Sequence, residues 1–156
     1  MNLDETLVLR ISQEVRAEIS SLIILKKEFE AAPREPDDSY GTRARASILH
    51  DFYTGIERIF VRVAEELNGG VPRSEQWHRQ LLTDMTLDLP GVRPPVISDI
   101  LAESLVPFLR FRHLFRNLYG FILDPSRIAE LEAKLSGVFE NFMREINSFL
   151  AWMTGT

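Results

Sequence analysis

Between Leu105 and Leu123 the chain reads LVPFLRFRHLFRNLYGFIL, which holds Arg110, Arg112, His113, Arg116, Asn117 and Tyr119 and no acidic residue. The whole chain is acidic, with 23 Asp and Glu against 18 Lys and Arg and a formal net charge of −5. The segment is therefore a local concentration of positive charge on a negative background. At helical spacing Arg110, His113 and Asn117 share one face, and Arg112, Arg116 and Tyr119 share the adjoining one. Arginine presents a planar, permanently charged fork that matches phosphate oxygens. Histidine exchanges a proton near neutrality, and Asn or Tyr orients a substrate by hydrogen bonds. RNA carries its own nucleophile, the 2′-OH. Cleaving it requires only that this hydroxyl be deprotonated, the phosphorane stabilised and the leaving oxygen protonated. A solvated basic face over a core helix is the plainer reading of the same spacing. Three arginines with no counter-ion in their own segment suit a phosphate site better than an ion-pair network.

Other chemistries find less support. The chain has no Cys, which excludes disulfide scaffolds, thiolate metal sites and thiol nucleophiles. Its three histidines, His50, His78 and His113, are too dispersed for a short metal-binding motif, so neither metal nor cofactor is expected. Asp84 and Asp88 offer two carboxylates without a third ligand. Gly41-Thr-Arg-Ala-Arg lacks the spacing of a phosphate-binding loop, and there is no Gly-x-Ser-x-Gly elbow for a serine hydrolase. Trp77-His78-Arg79 and His50 are assigned structural roles, a packed indole with a His beside it and a His bordering an apolar stripe. No apolar run approaches the roughly 20 residues that span a bilayer. The opening MNLDETLVLR lacks the pattern of a signal peptide, so a cytoplasmic protein without membrane association is expected. The acidic balance argues against broad electrostatic binding of nucleic acid but not against a small cationic site.

The elements that must position these residues are helical throughout. Leu3, Leu7, Ile11, Val15, Ile19, Leu22 and Phe29 mark a first helix from about Asp4 to Ala31, ended by Pro33 and a turn at Pro36-Asp37-Asp38-Ser39. Leu49, Phe52, Ile56, Ile59, Phe60, Val63 and Leu67 mark a second, from about Thr42 to Asn68, which Gly69-Gly70 stops. A short helix is expected with Ser74 as its N-cap, presenting Trp77, Leu81 and Met85. A long stripe from Ile97 to Ile122 carries the basic segment, and Pro107 predicts a kink or break within it. The last helix opens at Asp124-Pro125 and buries Ile128, Leu131, Leu135, Val138, Phe142, Ile146 and Phe149. The expected fold is a single all-α domain over 1–156, an up-and-down bundle of four long helices and one short one.

Arg112-His-Leu-Phe-Arg-Asn117-Leu-Tyr119 resembles the Arg-x4-His-x-Tyr signature of HEPN domains, specifically the HepT-like toxin family. The all-α chain, its length, the late position of the motif and the helix after it agree, from the second helix onward. The resemblance implies a homodimer whose motif helices meet across a two-fold axis and form a cleft that cleaves RNA, tRNA included, without a metal. It also implies a minimal nucleotidyltransferase antitoxin as partner, able to modify the motif tyrosine. Arg112 matches the motif arginine and Tyr119 the tyrosine, while Asn117 stands where the family has histidine, by natural divergence or by a deliberate change. A carboxamide cannot take the 2′-OH proton. General acid–base assistance contributes roughly 10²- to 10⁴-fold, so reduced activity follows, with His113 as the remaining proton carrier and Arg110 and Arg116 assisting Arg112. Two further readings stand beside this one: a non-catalytic partner or Tyr119-modified substrate of the nucleotidyltransferase, and a plain helical interaction module.

Overall fold

The computed structural model describes residues 4–33, 35, 38–117 and 123–156. Five helices follow in order: α1 (Glu5–Ala31), α2 (Ser39–Leu67), α3 (Trp77–Asp84), α4 (Asp99–Arg116) and α5 (Pro125–Thr154). Four are long and one is short, as the apolar spacing predicts, and the described residues form no named strand.

Local chemistry explains most of the helix ends. The Asp4 carboxylate accepts from the N–H groups of Thr6 and Leu7 and starts α1. Asp124 caps α5, with Pro125 at the first helical position. After α2, Gly69 and Gly70 take positive φ, and the Gly70 N–H returns to the Ala64 carbonyl. Three expectations are corrected. Helix α2 starts at Ser39, inside the expected turn, because the Asp38 carboxylate accepts from the Gly41 N–H. Helix α3 starts at Trp77, because the Ser74 hydroxyl bonds to the Gln80 side chain and not to the helix backbone. Of the kink or break expected at Pro107, the break does not occur, because α4 continues through it. A proline inside a helix costs about 3 kcal/mol or more. Leu105, Phe108 and Phe111, placed around it, are all buried, and at about 1.5–3 kcal/mol per side chain they outweigh that loss. The expected continuation of the stripe through Leu118 and Ile122 falls outside the described residues.

Helix α2 is the centre of the bundle and packs against each of the other four. It buries residues on most of its circumference, including Leu49, Phe52, Ile56, Ile59 and Phe60. At Gly55 α1 approaches closely: a Cβ there would lie 2.7 Å from the Leu22 side chain, which would have to shift. Arg62 ties α2 to Glu14 of α1, and the Ser98 N–H and hydroxyl are both held by Glu145 of α5.

The loop between α3 and α4 is fastened by one buried cation. Arg93 is 2% exposed and donates to the Asn68 side chain and to the carbonyls of Asp84, Leu87 and Pro94. Burial lowers its pKa, opposed by Asp84 and then Asp88, while burial raises that of Asp84. Arg93 therefore holds the C-terminal end of α3 and the loop after it to the end of α2. Replacing it with Ala leaves its acceptors without partners, and we expect a loss of about 3–5 kcal/mol in urea unfolding. A loss under about 1 kcal/mol would show that water replaces it.

Candidate functional site

One face of α2 carries His50, Thr54, Glu57, Arg58 and Val61, at the i, i+4, i+7, i+8 and i+11 spacing of a single helical stripe. This face forms the floor of an open cleft of about 510 Å³, with Trp77 of α3 on one side and Arg112 and Arg116 of α4 on the other. That volume lies within the ordinary range of small-ligand sites.

The polar groups of the cleft are coupled through one carboxylate. Glu57 is 5% exposed. One of its oxygens lies 2.8 Å from His78 Nδ1 and the other 3.5 Å from Arg112 Nη2. Arg112, itself buried, also donates from Nε to the Thr54 hydroxyl at 3.1 Å. The His78 ring stacks on the Trp77 indole with centroids 3.6 Å apart. Beneath, Tyr53 is fully buried and its hydroxyl has no hydrogen-bond partner among the described residues. Burial first and the Glu57 charge second push its pKa far up, opposed by Arg112 and Arg79, so it stays neutral. At the other end of the cleft, His50 Nδ1 lies 3.0 Å from the Asp51 carboxylate and its ring tilts against Phe115. Its Nε2 is buried, also without a partner among the described residues.

The two arginine-bearing faces read from the sequence separate in space. Arg112 and Arg116 come together in the cleft. Arg110 and His113 are exposed on α4 and do not line it. Asn117 is exposed at the C-cap of α4, where its Nδ2 donates to the His113 carbonyl at 2.7 Å. Tyr119 lies outside the described residues. The expectation of arginines without a counter-ion is corrected for Arg112, because α2 supplies Glu57. The structural roles expected of His78 and His50 are also incomplete: His78 belongs to the Glu57 network and His50 lines the cleft. Thr54, Glu57 and Arg58 were missed. The one available signal was the acid-free segment itself, since a buried arginine in it must find its carboxylate elsewhere.

Among the described residues there is no group of three or more side chains that could hold a metal ion, and no helix is long and apolar enough to cross a membrane. Arg58 and Arg116 are exposed on the cleft and carry no ion pair among the described residues. The arrangement can therefore hold an anion with one fixed and two solvated guanidinium groups.

Because Glu57 serves two partners, its truncation leaves Arg112 and His78 both uncompensated. We expect Glu57→Ala to cost about 2–4 kcal/mol. A double-mutant cycle with Arg112→Met should show a coupling of about 0.5–3 kcal/mol, as for residues in one network. Strict additivity would mean that the pair is screened by solvent.

A family model described as HepT-like protein matches residues 44–153. The match covers α2 from its second turn through nearly all of α5, and with it every residue of the cleft. Neither a curated protein nor a solved structure matches the chain.

Proposed function

The chain belongs to the HepT-like protein family, and we propose that its cleft binds RNA and supports slow, metal-independent endoribonuclease-type cleavage. The observation that carries this reading is the placement of Arg112. The residue matching the motif arginine is buried, fixed by Thr54 and Glu57, and shares a cleft with Arg116 and Arg58. A fixed guanidinium suits a phosphodiester whose charge grows in the transition state, since it costs no reorganisation as the charge develops. The RNA 2′-oxygen attacks its own phosphorus, the bond to the 5′-oxygen breaks, and a 2′,3′-cyclic phosphate remains. The 2′-OH proton must go to a base and the leaving oxygen must receive one.

Position 117 limits the rate. The Asn117 carboxamide accepts no proton and is engaged with the His113 carbonyl. His113, the remaining proton carrier, and Arg110 stand outside the protomer's own cleft. They serve the partner's cleft when two motif helices face each other across a two-fold axis, with Tyr119 from the adjoining segment orienting the substrate. In the cell the protein would pair with a minimal nucleotidyltransferase antitoxin in a toxin–antitoxin module. Asn117 also favours a second reading, in which the protein is a non-catalytic dimeric partner of that enzyme and Tyr119 is the group modified.

Cleavage of RNA should proceed in excess EDTA and leave cyclic phosphate ends. Activity that vanishes on chelation and returns with magnesium would overturn the mechanism. Asn117→His should raise cleavage by a factor in the general-base range of roughly 10²–10⁴. A folded Asn117→His protein that is no more active than its parent would remove position 117 from the chemistry.

The dimer brings two arginine-lined clefts close together, and their repulsion must be relieved by anions or water. An isologous two-fold contact uses one patch twice, and the exposed Leu114 on α4 supplies apolar surface beside it. Light scattering should give twice the monomer mass at micromolar concentration, with phosphate strengthening the dimer. A species of 18.0 kDa with and without phosphate would eliminate the two-fold site.

A further inference from the structure

We propose that Trp77 forms a nucleobase-stacking subsite beside the phosphate position, so that the cleft takes single-stranded RNA with an unstacked base. The inference rests on the RNA-binding reading above and specifies the substrate it accepts. Three observations carry it. First, the half-buried indole lines the same cleft as Arg112 and Arg116, so aromatic surface and guanidinium groups face one ligand volume. Alternating cations and aromatic faces is how proteins hold single strands, the cations following the backbone and the rings taking bases.

Second, the indole is held in place. His78 stacks on it at 3.6 Å, Nδ1 of His78 is fixed by the buried Glu57, and Glu57 is in turn paired with Arg112. The phosphate-binding arginine and the aromatic wall are therefore two ends of one chain of contacts, set at a fixed separation. Trp77 also packs against the hydrophobic core, which fixes the indole while part of it lines the cleft. Third, Arg58 and Arg116 have no ion pair among the described residues and flank the cleft, leaving cations for the phosphates on either side of the stacked base. In a duplex each base face is already covered by its neighbour, so the indole gains a partner only from a single strand, a loop or a bulge.

The test uses the full chain in EDTA. Trp77 and Trp152 are its two tryptophans, and Trp152→Phe leaves Trp77 as the sole indole reporter. Titration with a short oligo(U) should quench Trp77 fluorescence, whereas an RNA duplex of equal length should not. Trp77→Leu keeps apolar bulk for the packing of α3 and should weaken oligo(U) binding roughly 5- to 150-fold, the worth of one base–aromatic stack. Trp77→Phe should recover part of that loss, and neither variant should change duplex affinity. Arg112→Gln should weaken single strand and duplex alike, since it removes a phosphate contact. If Arg112→Gln weakens binding while Trp77→Leu binds oligo(U) as tightly as the parent, the stacking subsite is overturned and the phosphate cleft stands. Equal losses for single strand and duplex on Trp77→Leu would also overturn it. If the folded chain binds no RNA and Arg112→Gln changes nothing, the RNA reading and this subsite fall together.

Discussion

The Glu57 carboxylate decides the geometry of everything around it. A carboxylate taken out of water is tolerated only when its oxygens meet donors or cations of good geometry. Glu57 meets both conditions with residues from two different helices, His78 of α3 and Arg112 of α4. A charge that needs partners from two directions acts as a positional constraint on three helices at once. Apolar packing alone would allow α4 to slide or rotate by small amounts over α2 at modest cost. The paired guanidinium, further tied to Thr54, sets which residues of α4 face α2 and so which arginines reach the cleft. It acts with the buried Leu105, Phe108 and Phe111 of α4 in placing Arg112 and Arg116 on the cleft while Arg110 and His113 lie outside it.

The same pairing divides the labour among the arginines. Arg112 is nearly neutralised by Glu57 and contributes placement more than net charge. Arg116 and Arg58 stay solvated and give the cleft its positive field. On a protein with a net charge of −5, that field does not extend far past a Debye length of about 8 Å at physiological salt. For the proposed RNA ligand, long-range steering is therefore weak and recognition depends on contact. Two or three phosphate contacts give a shallow dependence of affinity on salt, compared with the six to ten typical of strongly basic nucleic-acid binders. A cleft of this kind must draw much of its affinity from uncharged contacts, which gives the aromatic wall at Trp77 its weight.

What was legible in the sequence follows from the range of each interaction. Apolar periodicity and caps are local, so α1, α5 and the end of α2 at Gly69-Gly70 were readable from neighbouring residues. The start of α3 was not, because Ser74 has a local alternative in Gln80 that competes with capping. The break allowed for at Pro107 does not occur, because its cost is local while the burial that offsets it is tertiary. The motif arginine could be picked out as a residue suited to phosphate. Its counter-ion could not, because Arg112 and its partners lie far apart in the chain: the Thr54 bond alone spans 58 positions. Glu57 follows Ile56 in an apolar stripe, and from sequence it reads as an ordinary helix surface residue. His78 was similarly opaque, since only the folded chain places it against a buried carboxylate.

Asn117 ties helix termination to chemistry. Asn is one of the residues favoured at helix ends, and here its amide donates to the His113 carbonyl in the last turn of α4, where carbonyls run out of helical donors. An imidazole at the same place can make that bond through one ring N–H and still offer its second nitrogen to a proton. In the proposed mechanism position 117 thus has two separable duties, ending the helix and exchanging a proton. Asparagine keeps the first and abandons the second. An asparagine at this position leaves the Arg112 network, which depends on α2 and α3, without any reason to change. In the proposed mechanism such a chain keeps its binding surface while turnover falls, so that binding and cleavage are separately measurable.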